Sequence, residues 1–115
     1  MLDIAKLTVK PTRDPHKLTS DLATALLAAK TPEEMTALLA DLCTPAEVRT
    51  LAERWHVAGL LDGTELTYRE IHDATGVSTT TIVRVARFLK QERNFGYRMA
   101  LDRLKDGNED RGDAG

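Results

Sequence analysis

Aromatic residues are scarce, 4% of the 115-residue chain, so Leu, Ile, Val, Ala and Met must make whatever core forms. The single cysteine, Cys43, excludes an internal disulfide and a thiolate zinc knuckle and suits a reducing cytoplasm. No apolar run has membrane-spanning length, and the opening residues, with Asp3, Lys6, Lys10 and Pro11, hold no signal-peptide core. Secreted and integral-membrane readings are set aside. Surplus positive charge is also missing: 16 basic against 18 acidic residues leave a formal net charge of -2. A polycation that coats nucleic acid is excluded, and any DNA site must be a local patch. There is no glycine-rich phosphate loop and no opposed pair of carboxylates. His16, His56 and His72 lie far apart, without metal-ligand spacing. They read as one histidine in an N-terminal arm, one on a helix flank and one on a short helix surface. Cys43, beside a helix start, reads as ordinary packing. No metal, cofactor or catalytic site is expected, and so no enzyme.

What the chain does have is helical periodicity. Its 42% hydrophobic content fits one small domain, which buries only about two-thirds of its unfolded surface and gains from dimerisation. Residues 1–14, with Pro11, read as a flexible N-terminal arm. Leu18, Leu22, Leu26 and Ala29 then form one helical face. Thr31-Pro32-Glu33-Glu34 predicts a capped second helix that buries Met35, Leu38, Leu39 and Leu42. Thr44-Pro45-Ala46-Glu47 repeats the signal and opens a long third helix with the stripe Val48, Leu51, Trp55, Ala58 and Leu61, ended near Gly63. Thr67 to Glu70 is a capping box before a short fourth helix, and Ser78 starts a fifth through Ile82, Val85, Ala86 and Leu89. Asn94 and Gly96 interrupt the run, after which Tyr97, Leu101 and Leu104 mark a last helix. Beyond Leu104 apolar content collapses, and 105–115 reads as a disordered acidic tail. No strand-like alternation holds. The expected class is all-α, about six helices over 15–104.

The most informative segment is 67–93. A short helix from Tyr68 to Ala74, the turn Thr75-Gly76-Val77 and the helix from Ser78 make a two-helix unit whose apolar residues, Ile71, Val77, Ile82 and Val85, face each other. Gly76 suits the positive φ that such a turn requires. An ordinary helix hairpin shares this spacing. The outward residues Thr79, Thr80, Thr81, Val83, Arg84 and Arg87 favour a helix-turn-helix instead, because small side chains allow close approach to a groove floor. Five basic residues against three acidic ones make the segment +2 inside a chain of -2.

These residues resemble the Trp repressor superfamily, and within it the YerC/YecD-type branch. The shared features are T-P-x-E at Thr44–Glu47, Arg54, L-L-x-G ending at Gly63, Y-R-E-I at Tyr68–Ile71 and G-x-S-x-x-T-I-x-R from Gly76 to Arg84, over roughly residues 15–104. The resemblance implies an intertwined homodimer offering one helix-turn-helix per subunit to double-stranded DNA. It assigns DNA contacts to Arg69, Thr79, Thr80, Thr81 and Val83, and places His72 where a basic side chain faces phosphate. Arg87 and Lys90 join Arg69 as phosphate grips; Arg69 also reads as a plain solvent residue of a capped helix. In that family an indole slides between two arginines over a glycine. Arg54 and Arg84 match the arginines, and Thr44 and Thr81 match other pocket residues. Val85 stands at the glycine, however, and Phe88 at a small serine. A branched side chain and a phenyl ring are expected to occupy the indole's space, leaving a vestigial pocket and no role for tryptophan.

The expected function is therefore a homodimeric, sequence-specific transcriptional regulator, a repressor that works without tryptophan as corepressor. It is expected to be cytoplasmic, and nucleoid-associated when bound to DNA. Two alternatives stand beside it: a helical protein-interaction module that has lost operator binding, and a regulator answering another small effector held near Arg54 and Arg84.

Overall fold

The computed structural model describes residues 9–114, with side chains as far as Gly107. The first eight residues of the expected arm lie outside this range. Among the described residues there are six helices and no strand: α1 (Pro15–Ala28), α2 (Pro32–Leu42), α3 (Pro45–Gly63), α4 (Tyr68–Thr75), α5 (Thr79–Lys90) and α6 (Gly96–Ala114). None of them is long and apolar enough to cross a membrane. The chain divides into two compact units, one ending at Thr44 and the other beginning at Pro45.

In the first unit both helices begin as local chemistry dictates. Asp14 caps α1 by accepting the His16 N–H at 3.0 Å, and Pro15 fills the first helical position, where no donor is needed. That proline opens the helix three residues before the apolar face begins. Thr31 caps α2 through the Glu34 N–H at 3.1 Å, while Glu34 reaches past the cap to the Lys30 N–H at 2.7 Å. Neither helix buries a single residue. Leu26, Met35, Leu38 and Leu39 are half-buried, but Leu22 is 44% and Leu42 51% exposed. The expected burial of Leu42 is thus corrected: about half of its surface stays exposed in the single chain.

The second unit holds the core. Val57 and Ala58 of α3, Ile71 of α4, Val77 of the turn, and Ile82 and Val85 of α5 are buried together, with Leu60, Leu61 and Tyr97 packed partly against them. α5 lies against α3, α4 and α6, and α6 also touches α3. The inward face of α3 differs from the expected stripe. Ala58 is inside, but Leu51 and Trp55 are exposed, and Val57, absent from that stripe, is fully buried. From Val57 to Leu61 α3 is apolar most of the way round, so its neighbours choose the buried side.

Two local features join the helices. Thr67 and Glu70 close a reciprocal capping box, with the Thr67 N–H donating to Glu70 Oε1 at 3.0 Å and the Glu70 N–H to Thr67 Oγ1 at 3.1 Å. Hydrogen bonding from the Thr67 backbone N–H, and then from the Thr67 hydroxyl, holds the Glu70 carboxyl below its ordinary pKa. Between α5 and α6, positive φ falls on Phe95, at 61°, while Gly96 begins the next helix. Leu101 is buried, whereas Leu104 is exposed. The helix runs on to Ala114, through the stretch read as a tail. Loss of apolar residues ends a packed face, not a helix, since charged side chains are compatible with helical backbone.

Candidate nucleic-acid interface

Gly76 ends α4 with φ of 74°, its N–H donating to the His72 carbonyl. Thr75 ties the turn twice: its hydroxyl donates to the Ile71 carbonyl at 2.7 Å and accepts the Val77 N–H at 3.1 Å. His72 Nδ1 meets the Val77 carbonyl at 2.7 Å. Ser78 then caps α5, accepting the Thr81 N–H at 3.2 Å and donating to Thr81 Oγ1 at 3.0 Å. Both helix ends are therefore satisfied within eleven residues of chain, and Ile71, Val77 and Ile82 seal the unit from below.

The outer face of α5 carries most of the sequence-derived DNA residues. Thr79, Thr80, Val83, Arg87 and Lys90 are all exposed and share one side at helical spacing. Thr81 differs: it is half-buried, and its hydroxyl is engaged by Ser78. Arg69 projects from the first turn of α4 with its side chain 90% exposed, 4.0 Å from the Asp73 carboxylate. Arg87 approaches Glu92 at 3.5 Å. Arg69 and His72, with Tyr68, Asp73 and Thr79, line a recess of about 540 Å³ beside the start of α5.

A second cleft, of about 440 Å³, lies between α3, α5 and the start of α6. Four of the expected effector residues line it: Arg54, Arg84, Val85 and Phe88. Leu51, Trp55 and Tyr97 contribute the remaining apolar wall, with the Trp55 and Tyr97 rings 6.4 Å apart and nearly parallel, 28° between planes. The Arg84 guanidinium carbon sits 4.4 Å over the Phe88 ring, and that of Arg87 5.1 Å, distances at which a cation is attracted to an aromatic face. Arg54 Nε is buried and finds no hydrogen-bond partner among the described residues. Val85 belongs to the core and Phe88 to the wall, so the two side chains border a cleft where the expectation had them filling one. Thr44 is the last residue of the first unit.

Sequence reading did not foresee one cluster that steadies this cleft. Arg98, next to the wall residue Tyr97, pairs with Asp62 at 2.8 Å and Asp102 at 2.7 Å, and Lys105 meets Asp62 at 2.6 Å. Asp62 and Arg98 are 36 positions apart, and no local pattern links them.

Comparisons with known proteins agree with this architecture. Residues 17–105 match the family described as Trp repressor protein. The uncharacterised protein YerC of Bacillus subtilis (strain 168) is 44% identical over 86 residues, which cover 74% of this chain and 80% of YerC. A candidate Trp repressor from Staphylococcus aureus superposes with a TM-score of 0.71 at 33% identity, covering 91% of this chain and 96% of that one. A TrpR-like protein from Eubacterium eligens gives the same TM-score, 0.71, and the same identity, 33%, over 88% and 95% of the two chains. The match spans most of the chain and both units, and the chain belongs to the Trp repressor family.

Proposed function

We propose that this chain is a homodimeric, sequence-specific DNA-binding regulator that acts as a repressor without tryptophan as corepressor. The observation that carries the reading is the exposed stripe of α5. Thr79, Thr80 and Val83 present small or apolar side chains that fit base edges and thymine methyls, and Arg87 and Lys90 follow where phosphates would lie. Arg69 and His72 extend the phosphate-gripping surface from α4. The incompletely covered apolar faces of α1 and α2, together with exposed Leu51 and Trp55, support a second copy as their cover. An interlocked dimer through Leu22, Leu26, Leu38, Leu42, Leu51 and Trp55 would bury more than about 2,000 Å², and would set two reading helices about 34 Å apart, one turn of duplex. Such a regulator works in the cytoplasm, on the nucleoid when bound.

Selection of random duplexes by the purified protein, followed by titration at several salt concentrations, tests the reading. Enrichment of a two-fold-related sequence is expected. Failure to bind any duplex would leave a helical interaction module. Sedimentation should find no folded monomer at micromolar concentration, since folding and pairing are inseparable in such a dimer.

Absence of a tryptophan requirement is supported by Phe88. Arg84, which the family would stack on an indole, already lies on a phenyl ring of its own chain. One observation favours a second reading, a different small effector: the orphan Arg54 Nε lies in a residue lining the 440 Å³ cleft. A carboxylate ligand would satisfy it. Thermal-shift screening of small carboxylates against wild type and Arg54→Met separates the two readings.

A further inference from the structure

His72 spans the Gly76 turn, with Nδ1 2.7 Å from the Val77 carbonyl oxygen. A carbonyl oxygen can only accept, so Nδ1 carries the hydrogen of that bond. In the neutral ring Nε2 then holds a lone pair and no hydrogen. The side chain is exposed in the recess of about 540 Å³ beside the start of α5. The charged groups lining that recess are Arg69 and Asp73, both on α4 and 4.0 Å apart. Tyr68, also on α4, is the other titratable neighbour, and α5 contributes only the uncharged Thr79.

A DNA phosphate arriving at this recess offers acceptors alone. Neutral His72 would meet it lone pair to lone pair. Protonation at Nε2 converts the ring to a charge-assisted donor and leaves the Nδ1–Val77 bond intact, because both nitrogens of an imidazolium donate. Resting on the DNA-binding reading above, we propose that His72 is a proton-linked phosphate contact: Nδ1 fastens the turn, and duplex binding loads a solvent proton onto Nε2. The proton returns to solvent when the DNA leaves. Asp73 and Arg69 line the recess in the free and the bound protein alike. The phosphate is the group that changes, and it favours the charge. The bound state therefore holds more protons, and affinity rises as pH falls through the range in which histidines titrate.

Calorimetry of the full chain with a mixed-sequence duplex, in buffers of equal pH and different ionisation enthalpy, reads the protons taken up. A net uptake averaging roughly a quarter to a half of a proton per binding event is expected, which corresponds to affinity rising roughly three- to tenfold between about pH 8 and about pH 6. His72→Lys carries a permanent charge, and His72→Gln offers a non-titrating donor near the Nε2 position. Both should bind duplex with no uptake and a flatter pH profile. Nitrogen chemical shifts of the wild-type His72 ring, recorded with and without duplex, test the same step even where a variant fails to fold. DNA binding without proton uptake, uptake that persists in both variants, or a ring that stays neutral on DNA would each overturn the proposal while leaving the DNA-binding reading intact. Absence of any duplex binding would overturn both.

Discussion

Arg98 of α6 holds Asp62 of α3 by both terminal nitrogens, Nη1 to Oδ1 at 2.8 Å and Nη2 to Oδ2 at 3.0 Å. Two parallel bonds from a planar guanidinium fix direction as well as distance. Lys105 adds a third bond to the same carboxylate at 2.6 Å, so the end of α3 and the first three turns of α6 are fastened at one point.

Asp62→Asn should therefore lower stability by about 1–2 kcal/mol at neutral pH, a charge-assisted pair discounted for the partly exposed Arg98. Hydrogen bonds from Arg98 and Lys105 hold the Asp62 carboxyl well below the usual carboxylate range. A carboxyl lowered on folding adds stability that is complete above its unfolded pKa, about 3.9, and is lost as pH falls toward the folded value. Urea unfolding of both proteins at stepped pH should show the wild-type advantage constant above about pH 5 and shrinking in stronger acid. An advantage that grew on acidification would contradict the assignment.

Phe95 sits at φ 61° with 66% of its surface exposed. Left-handed backbone costs a side-chain-bearing residue about 1–2 kcal/mol, and glycine's extra freedom in the unfolded chain returns part of that. Phe95→Gly should raise stability by about 0.5–1 kcal/mol, measured as a higher melting temperature. A drop of that size would mean the ring makes a contact, such as one with a second copy, worth more than the strain.

Thr80 and Lys90 lie at opposite ends of the α5 stripe and should fail differently. Thr80→Ala should weaken a selected site by roughly 1–3 kcal/mol with little loss on scrambled duplex. Lys90→Ala should weaken both equally and reduce the salt dependence by about one counterion. Titrations at several salt concentrations separate them. Equal losses for Thr80→Ala on the two duplexes would remove it from base reading.

Tryptophan up to millimolar concentration should give no saturable heat with the protein. DNA affinity should change by less than tenfold, about 1.4 kcal/mol. The cleft is large enough to take a small molecule, so this outcome depends on Arg84 remaining stacked on Phe88. Micromolar binding would restore an effector-gated repressor.

Much of this protein was written in short-range chemistry. The starts of α1, α2, α4 and α5 depend on Asp14, Thr31, Thr67 and Ser78, each bonding a backbone N–H two or three residues on. The positive φ of the turn after α4 falls on a glycine, Gly76. Such signals survive in a bare sequence because every partner lies within one turn. The family pattern from Thr44 to Arg84 was legible for the same reason, as was the row of side chains on the outer face of α5.

What the amino-acid order left open was everything that needs a second surface. α3 is apolar on more than one side, and only the placement of α4 and α5 buries Val57 while Leu51 and Trp55 remain exposed. Val85 and Phe88 have the bulk to fill a pocket, yet whether they fill it or border it depends on how far α3 and α6 stand from α5. Asp62 and Arg98 meet only because α6 packs against α3. Caps and turns follow from the sequence because their energies are local. Burial, clefts and distant ion pairs belong to the tertiary structure, because each is a property of two elements at once.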